Sequence, residues 1–85
     1  MAINGLQEVE RVVRVYVPSG ALVKKYREKA GLTVESAAEL ARITPVQLRK
    51  IEAGQATPSS RTFGRIAGVL DVTPNDLYKS VDLRR

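Results

Sequence analysis

The sequence predicts an all-α domain of five short helices preceded by an N-terminal β-strand. Three observations carry that expectation. From Ser19 onward apolar residues recur at helical spacing between identifiable caps, and the segments joining these stretches are only a few residues long. The segment before them holds five valines in the nine residues from Val9 to Val17. A chain of 85 residues makes one domain with a modest core.

Taken in order, "EVERVVRVYVP" (residues 8–18) is ambiguous in period. Val13, Val15 and Val17 alternate as in a strand, whereas Val9, Val12, Val13 and Tyr16 match a helical stripe. β-Branched residues stiffen the extended backbone, so the density of valine favours the strand. Ser19 is a good N-cap for a helix running to Ala30 and ended by Gly31, with Leu22, Val23 and Tyr26 on its inner side. Thr33 caps a second helix to about Ala41, in which Ala37, Ala38 and Ala41 allow close approach of a neighbour.

The third helix lies in "ITPVQLRKIEAGQATPS" (residues 43–59) and should span Pro45 to Ala53. Thr44 caps it, Pro45 suits a first position whose N–H would be unsatisfied anyway, and Gln47 completes a capping box. Gly54 stands where a left-handed residue ends the helix, and Pro58 follows. Leu48 and Ile51, three apart, face a core together, while Val46, Arg49, Lys50 and Ala53 point elsewhere. A fourth helix from Ser59 to Leu70 carries Phe63, Ile66, Ala67 and Leu70 at i, i+3, i+4 and i+7. A fifth begins at "TPND", with Thr73 as cap, Pro74 first and Asp76 third, and carries Leu77 and Tyr78. The expected organisation is an N-terminal arm over residues 1–18, a helical domain over 19–80 and a C-terminal tail over 81–85.

Composition narrows the function. A formal charge of +5 and a pI near 10.0 favour a polyanion such as nucleic acid, or an anionic membrane surface, the alternative being a basic protein with no such partner. There is no Cys and no His, which excludes disulfides and thiolate zinc sites and removes the commonest metal ligand and general base. No metal, cofactor or catalytic constellation is therefore expected, and an enzyme is the weakest reading. The Met1 to Leu6 start matches no signal peptide, and no apolar run approaches membrane-spanning length, so a cytoplasmic protein without a membrane partner is expected.

Helices two and three are separated only by Arg42, Ile43 and Thr44, the connection length of a helix-turn-helix. So short a turn makes the helices cross steeply, and the polar face of the third then projects from the body. Such a helix fits the DNA major groove, about 12 Å wide.

The run from Gly20 to Tyr78 resembles the Cro and CI-like helix-turn-helix regulators, also called the XRE family. The resemblance rests on "KKYREKAGLT", "AAELARITPVQLRKIEAG", Pro58 and "FGRIAGVLDVTPNDLY", in that order. It implies a five-helix, lambda-repressor-like domain that binds double-stranded DNA sequence-specifically as a homodimer and reads it with the third helix. It also implies an ion pair between Arg27 in the first helix and Glu52 at the end of the third. The sequence departs from the family at Val34, where a phosphate-binding Gln is common, and at Arg42, where Gly is common. Ala37 and Ser60 stand where larger apolar residues are usual, which implies a looser core.

Arg49 is the expected base reader, since a guanidinium donates two hydrogen bonds to guanine O6 and N7. Its alternative is a phosphate contact. Gln47 either pairs with adenine or serves only the capping box, and Val46 is expected against a thymine methyl. Thr44 at the start of the third helix, Lys50, Arg61 and Arg65 are expected on phosphates. Lys24, Lys25 and Lys29 read as a solvated face. The expected function is a transcriptional regulator, a repressor binding a pseudo-palindromic operator as a homodimer. The alternative is an antitoxin that binds its own promoter and grips a toxin protein. A lone strand in a helical domain leaves backbone groups unpaired, so Arg11 to Val17 are expected to pair with the same segment of a second subunit, with Val13, Val15 and Val17 as dimerisation residues.

Overall fold

The computed structural model describes residues 13–83. Strand β1 (Arg14–Pro18) leads into helices α1 (Gly20–Lys29), α2 (Val34–Ala41), α3 (Pro45–Glu52) and α4 (Ser60–Val69), and the chain closes with a 3-10 turn (Pro74–Leu77) and strand β2 (Tyr78–Asp82). The caps read from the sequence are formed. The side chains of Ser19, Thr33, Thr44 and Ser59 each accept from a backbone N–H in the first turn of the helix that follows. Gly31 and Gly54 take φ values of 75° and 76° just past the ends of α1 and α3, as those turns require.

The expected fifth helix is corrected to a single 3-10 turn, so the described residues form four α-helices and a small sheet. Asp76 does bond back to the Thr73 N–H at 3.0 Å. The helix fails one residue later, because the Leu77 carbonyl that would serve residue 81 accepts instead from the Ser19 N–H at 2.8 Å. Tyr78 is consequently extended (φ −98°, ψ 147°) and opens β2.

The same pairing corrects the picture of a lone N-terminal strand. β1 runs antiparallel to β2 in its own chain, with Arg14 opposite Asp82, Val15 opposite Val81, Tyr16 opposite Ser80 and Val17 opposite Lys79. Strand β2 extends through Val81 and Asp82, residues expected in the C-terminal tail. Val9 and Val12, used in weighing strand against helix, and Arg11, the start of the segment expected to pair between subunits, lie outside the described residues.

The core gathers one side of every helix: Val23, Ala37, Ala38, Ala41, Leu48, Ile51, Phe63, Ile66, Ala67, Leu70 and Leu77 are buried together. Tyr78 adds its ring to Phe63 edge-on, centroids 5.2 Å apart. The loosening implied by two small residues is slight. Beside Ala37 the void is only about 10 Å³, room for about one water-sized sphere. Ser60 is exposed at the start of α4 and is not a core position.

Gly20 carries a constraint that no periodicity reveals. A Cβ built there would lie 2.1 Å from the Ile51 carbonyl oxygen and 2.8 Å from that of Glu52, so the start of α1 abuts the end of α3 backbone to backbone. Gly20→Ala should therefore destabilise the fold by about 1–3 kcal/mol, although alanine is the better helix former. Urea unfolding followed by circular dichroism checks this, and an unchanged or raised midpoint would contradict the close approach.

Candidate nucleic-acid interface

Helix α3 is held at both ends. At its start Thr44 and Gln47 form a reciprocal box: the Gln47 N–H donates to Thr44 Oγ1 at 3.0 Å, and the Thr44 N–H donates to Gln47 Oε1 at 2.8 Å. Just before it, Arg42 makes the turn in the left-handed region (φ 63°, ψ 40°). A non-glycine residue there costs about 1–2 kcal/mol. The turn is supported by Ile43 N–H on the Ala38 carbonyl at 3.0 Å and by Arg65 Nε on the Ala41 carbonyl at 2.9 Å.

At the end of α3, Arg27 and Glu52 pair side by side. Nε donates to Oε2 at 2.7 Å and Nη2 to Oε1 at 3.1 Å, while Nη1 donates to the Leu32 carbonyl at 2.9 Å. The side chains are only 10% and 8% exposed. The hydrogen bond to Glu52 raises the Arg27 pKa above its already high ordinary value, so the guanidinium stays charged. This pair joins α1 to α3.

With Leu48 and Ile51 buried, the opposite side of α3 is open: Val46, Gln47, Arg49 and Lys50 are all exposed. The structure thus leaves the three expected base-reading side chains exposed, with Gln47 on the flank toward α4 and Arg49 on the flank toward α2. For Gln47 it adds a condition. Pairing with adenine calls on both its amide oxygen and its amide nitrogen, and the oxygen already serves the Thr44 N–H. Beyond α3, Lys50 and Gln47 line a groove with Thr57, Pro58, Ser59 and Thr62 at the start of α4, and Arg61 is exposed in the first turn of that helix. Arg65 differs from the other expected phosphate contacts in that its Nε is committed to the Ala41 carbonyl. Lys24, Lys25 and Lys29 are exposed on α1.

Arg49 has a partner that the sequence reading missed. Its Nη2 bonds Glu35 Oε2 in the first turn of α2, and both side chains remain more than half exposed. The Glu35 carboxylate is held below its usual range, first by a backbone N–H at its own helix start and then by Arg49. Fourteen residues apart, the two meet because α2 and α3 pack against each other, which no local pattern shows. Among the described residues no group of His, Cys, Asp or Glu could hold a metal ion, and no helix is long and apolar enough to cross a membrane.

Comparison with known proteins gives the same outline. A family model described as helix-turn-helix matches residues 23–77. Among solved structures, the restriction-modification controller protein C.AhdI from Aeromonas hydrophila is 28% identical with a TM-score of 0.67, covering 68% of this chain and 88% of that one. The N-terminal DNA-binding domain of the biofilm regulator SinR from Bacillus subtilis is 32% identical with a TM-score of 0.62, covering 69% and 87%. The clp gene regulator ClgR from Corynebacterium glutamicum is 28% identical with a TM-score of 0.67 over 68% of this chain and 62% of its own, so the chain spans less than two thirds of that regulator. No curated protein matches at a significant level.

The clamp at the end of α3 has a measurable weight. Glu52→Ala leaves a buried guanidinium with only the Leu32 carbonyl and should cost about 3–5 kcal/mol. Replacing both partners, Arg27→Met with Glu52→Leu, should cost clearly less, because no charge is then stranded. Chemical denaturation of Glu52→Ala, of Arg27→Met and Glu52→Leu singly, and of the Arg27→Met, Glu52→Leu double variant checks this, and strictly additive losses in the last three would rule out the coupling.

Proposed function

The chain belongs to the Cro and CI-like helix-turn-helix family, and we propose that it is a sequence-specific double-stranded DNA-binding transcriptional regulator that acts as a homodimer on a pseudo-palindromic operator. One observation carries this reading. Helix α3, capped at its start and clamped at its end, leaves Val46, Gln47, Arg49 and Lys50 all exposed, with Gln47 and Arg49 on opposite flanks of the helix. The likeness to SinR's DNA-binding domain supports it.

In this reading Arg49 donates to guanine O6 and N7, Val46 meets a thymine methyl and Gln47 reads adenine when its box opens. Thr44 with the N–H groups at the start of α3, together with Lys50, Arg61 and the outer N–H groups of Arg65, holds phosphates and sets the register. Repression by occluding polymerase at the operator requires nothing beyond this domain.

The dimer is proposed through the sheet. Leu83 N–H bonds the Val13 carbonyl at 2.8 Å and Ser19 N–H bonds that of Leu77 at 2.8 Å, so the odd-numbered residues of β1 face β2. Arg14 and Tyr16 then turn their backbone N–H groups to the other edge, and Pro18, which has none, sits there at no cost. Among the described residues nothing pairs with this edge, which suits a two-fold pairing of β1 with β1 of a second subunit. On one face of the sheet Val13 and Leu83 are each 56% exposed and Val15 38%, with Val17 half-buried. Apolar area of this kind is what a partner subunit covers.

Three outcomes test the reading. The logarithm of affinity should fall steeply and linearly with the logarithm of salt concentration, as phosphate contacts displace counterions; a slope near zero would count against DNA binding. Arg49→Ala should lose about 1–3 kcal/mol on the preferred site and flatten one base position per half-site, whereas Lys50→Ala should weaken all duplexes alike; selection from random DNA gives the comparison. Val13→Asp with Val15→Asp should yield a folded monomer, because two pairs of like charges would meet across the two-fold axis. Sedimentation velocity decides, and a variant that still sediments as a dimer refutes the sheet interface.

A further inference from the structure

The contact between Glu35 and Arg49 is unexpected on a surface meant for a polyanion. A carboxylate in the first turn of α2 occupies an end of a helix that favours anions, where an approaching phosphate would otherwise find N–H groups and a positive dipole. It therefore works against every duplex, whatever its sequence. Its local return is a stabilised start of α2, and through its contact with Arg49 it also bears on base choice.

Arg49 is the side chain through which it can do so. A guanidinium has five N–H groups in a planar fork, and Glu35 engages only one of the two nitrogens at its end, Nη2. The remaining donors suffice for guanine O6 and N7. An exposed arginine ordinarily loses considerable rotamer freedom when it docks on a base, at an ordering cost that falls on the correct and the incorrect sequence alike. Held by Glu35, the plane of the fork is oriented before DNA arrives. On a duplex with another base in that position, the fork cannot turn aside to a phosphate without leaving its carboxylate partner.

We propose that Glu35 is a specificity-determining, positioning residue: it fixes the Arg49 guanidinium for guanine and raises the penalty for any other base, while lowering affinity for DNA in general. The proposal rests on Arg49 reading a base. Its predicted signature differs from that of a mere surface charge. Loss of a charge strengthens correct and incorrect duplexes by the same factor and does so whether or not Arg49 is present. Loss of a positioning residue changes their ratio and does so only through Arg49.

The experiment measures binding of wild type, Glu35→Gln, Arg49→Ala and the double variant to two duplexes. One is the site selected from random DNA by the wild type, and the other is the same site with the Arg49-dependent base pair changed. Glu35 is exposed and uninvolved in the core, so thermal melting should show all four proteins folded. Glu35→Gln should strengthen binding to the altered duplex and cut the ratio of the two affinities about two- to tenfold, and should leave that ratio unchanged in the Arg49→Ala background. An unaltered ratio in Glu35→Gln, or an equal change with and without Arg49, overturns the proposal. If Arg49→Ala itself keeps the wild-type motif, the base-reading role of Arg49 falls and the Glu35 proposal falls with it. The two failures are distinguished by which single variant shows no effect.

Discussion

The orientation of α3 depends on the buried pair between Arg27 and Glu52. Two parallel hydrogen bonds and a third to the Leu32 carbonyl satisfy a guanidinium that would otherwise be costly to bury. An ion pair withdrawn from water contributes little net stability compared with a well-packed apolar pair, so what it supplies here is direction. Its planar fork admits one relative placement of α1 and the end of α3, and a sliding apolar contact would admit several. Gly20 acts on the same junction by removing the Cβ that would hold the two backbones apart.

How far the sequence could be read follows from the range of the forces involved. Caps, helix bounds and inner faces of α1 to α4 were legible because they depend on neighbours within four residues: Thr44 with Gln47, or Phe63 with Ile66 and Ala67. The expected fifth helix had equally good local signals in Thr73, Pro74 and Asp76. It lost to one bond between Ser19 and Leu77, fifty-eight positions apart, and to the pairing of β1 with β2 that this bond begins. The exposed face of α3 was legible from the positions of Leu48 and Ile51. Glu35 at Arg49, and the close approach at Gly20, were not, since both arise where helices cross.

The distribution of cations qualifies the inference from net charge. Of the basic residues, Arg27 is buried on Glu52, Arg65 holds the carbonyl of Ala41, and Arg14 donates to Ser80 Oγ at 3.3 Å. Arg49 is shared with Glu35. A formal charge of +5 therefore describes the solution behaviour of the chain better than it describes the surface offered to a phosphate backbone. Arginine appears in several of these structural positions because a fork can cap a helix or brace a turn while its outer N–H groups still point away. That double use is most plain at Arg65, whose Nε supports the turn that starts α3.

The position of the sheet explains how an interface there would reach α3. Pro18 ends β1, Ser19 both bonds Leu77 and caps α1, and Gly20 lies against the Ile51 and Glu52 carbonyls of α3. Three consecutive residues thus connect the sheet to the end of α3 with no flexible segment between. A two-fold axis through the open edge of β1, as proposed, would relate two α3 helices through these stiff links rather than through a loosely packed body. Half-sites in a palindromic operator are one DNA turn apart, about 34 Å, and a small angular error at the axis grows over that distance. The absence of slack between β1 and α3 is what would keep it small, and in the proposed dimer it would tie the spacing of the half-sites to the same Gly20 contact that joins α1 to α3.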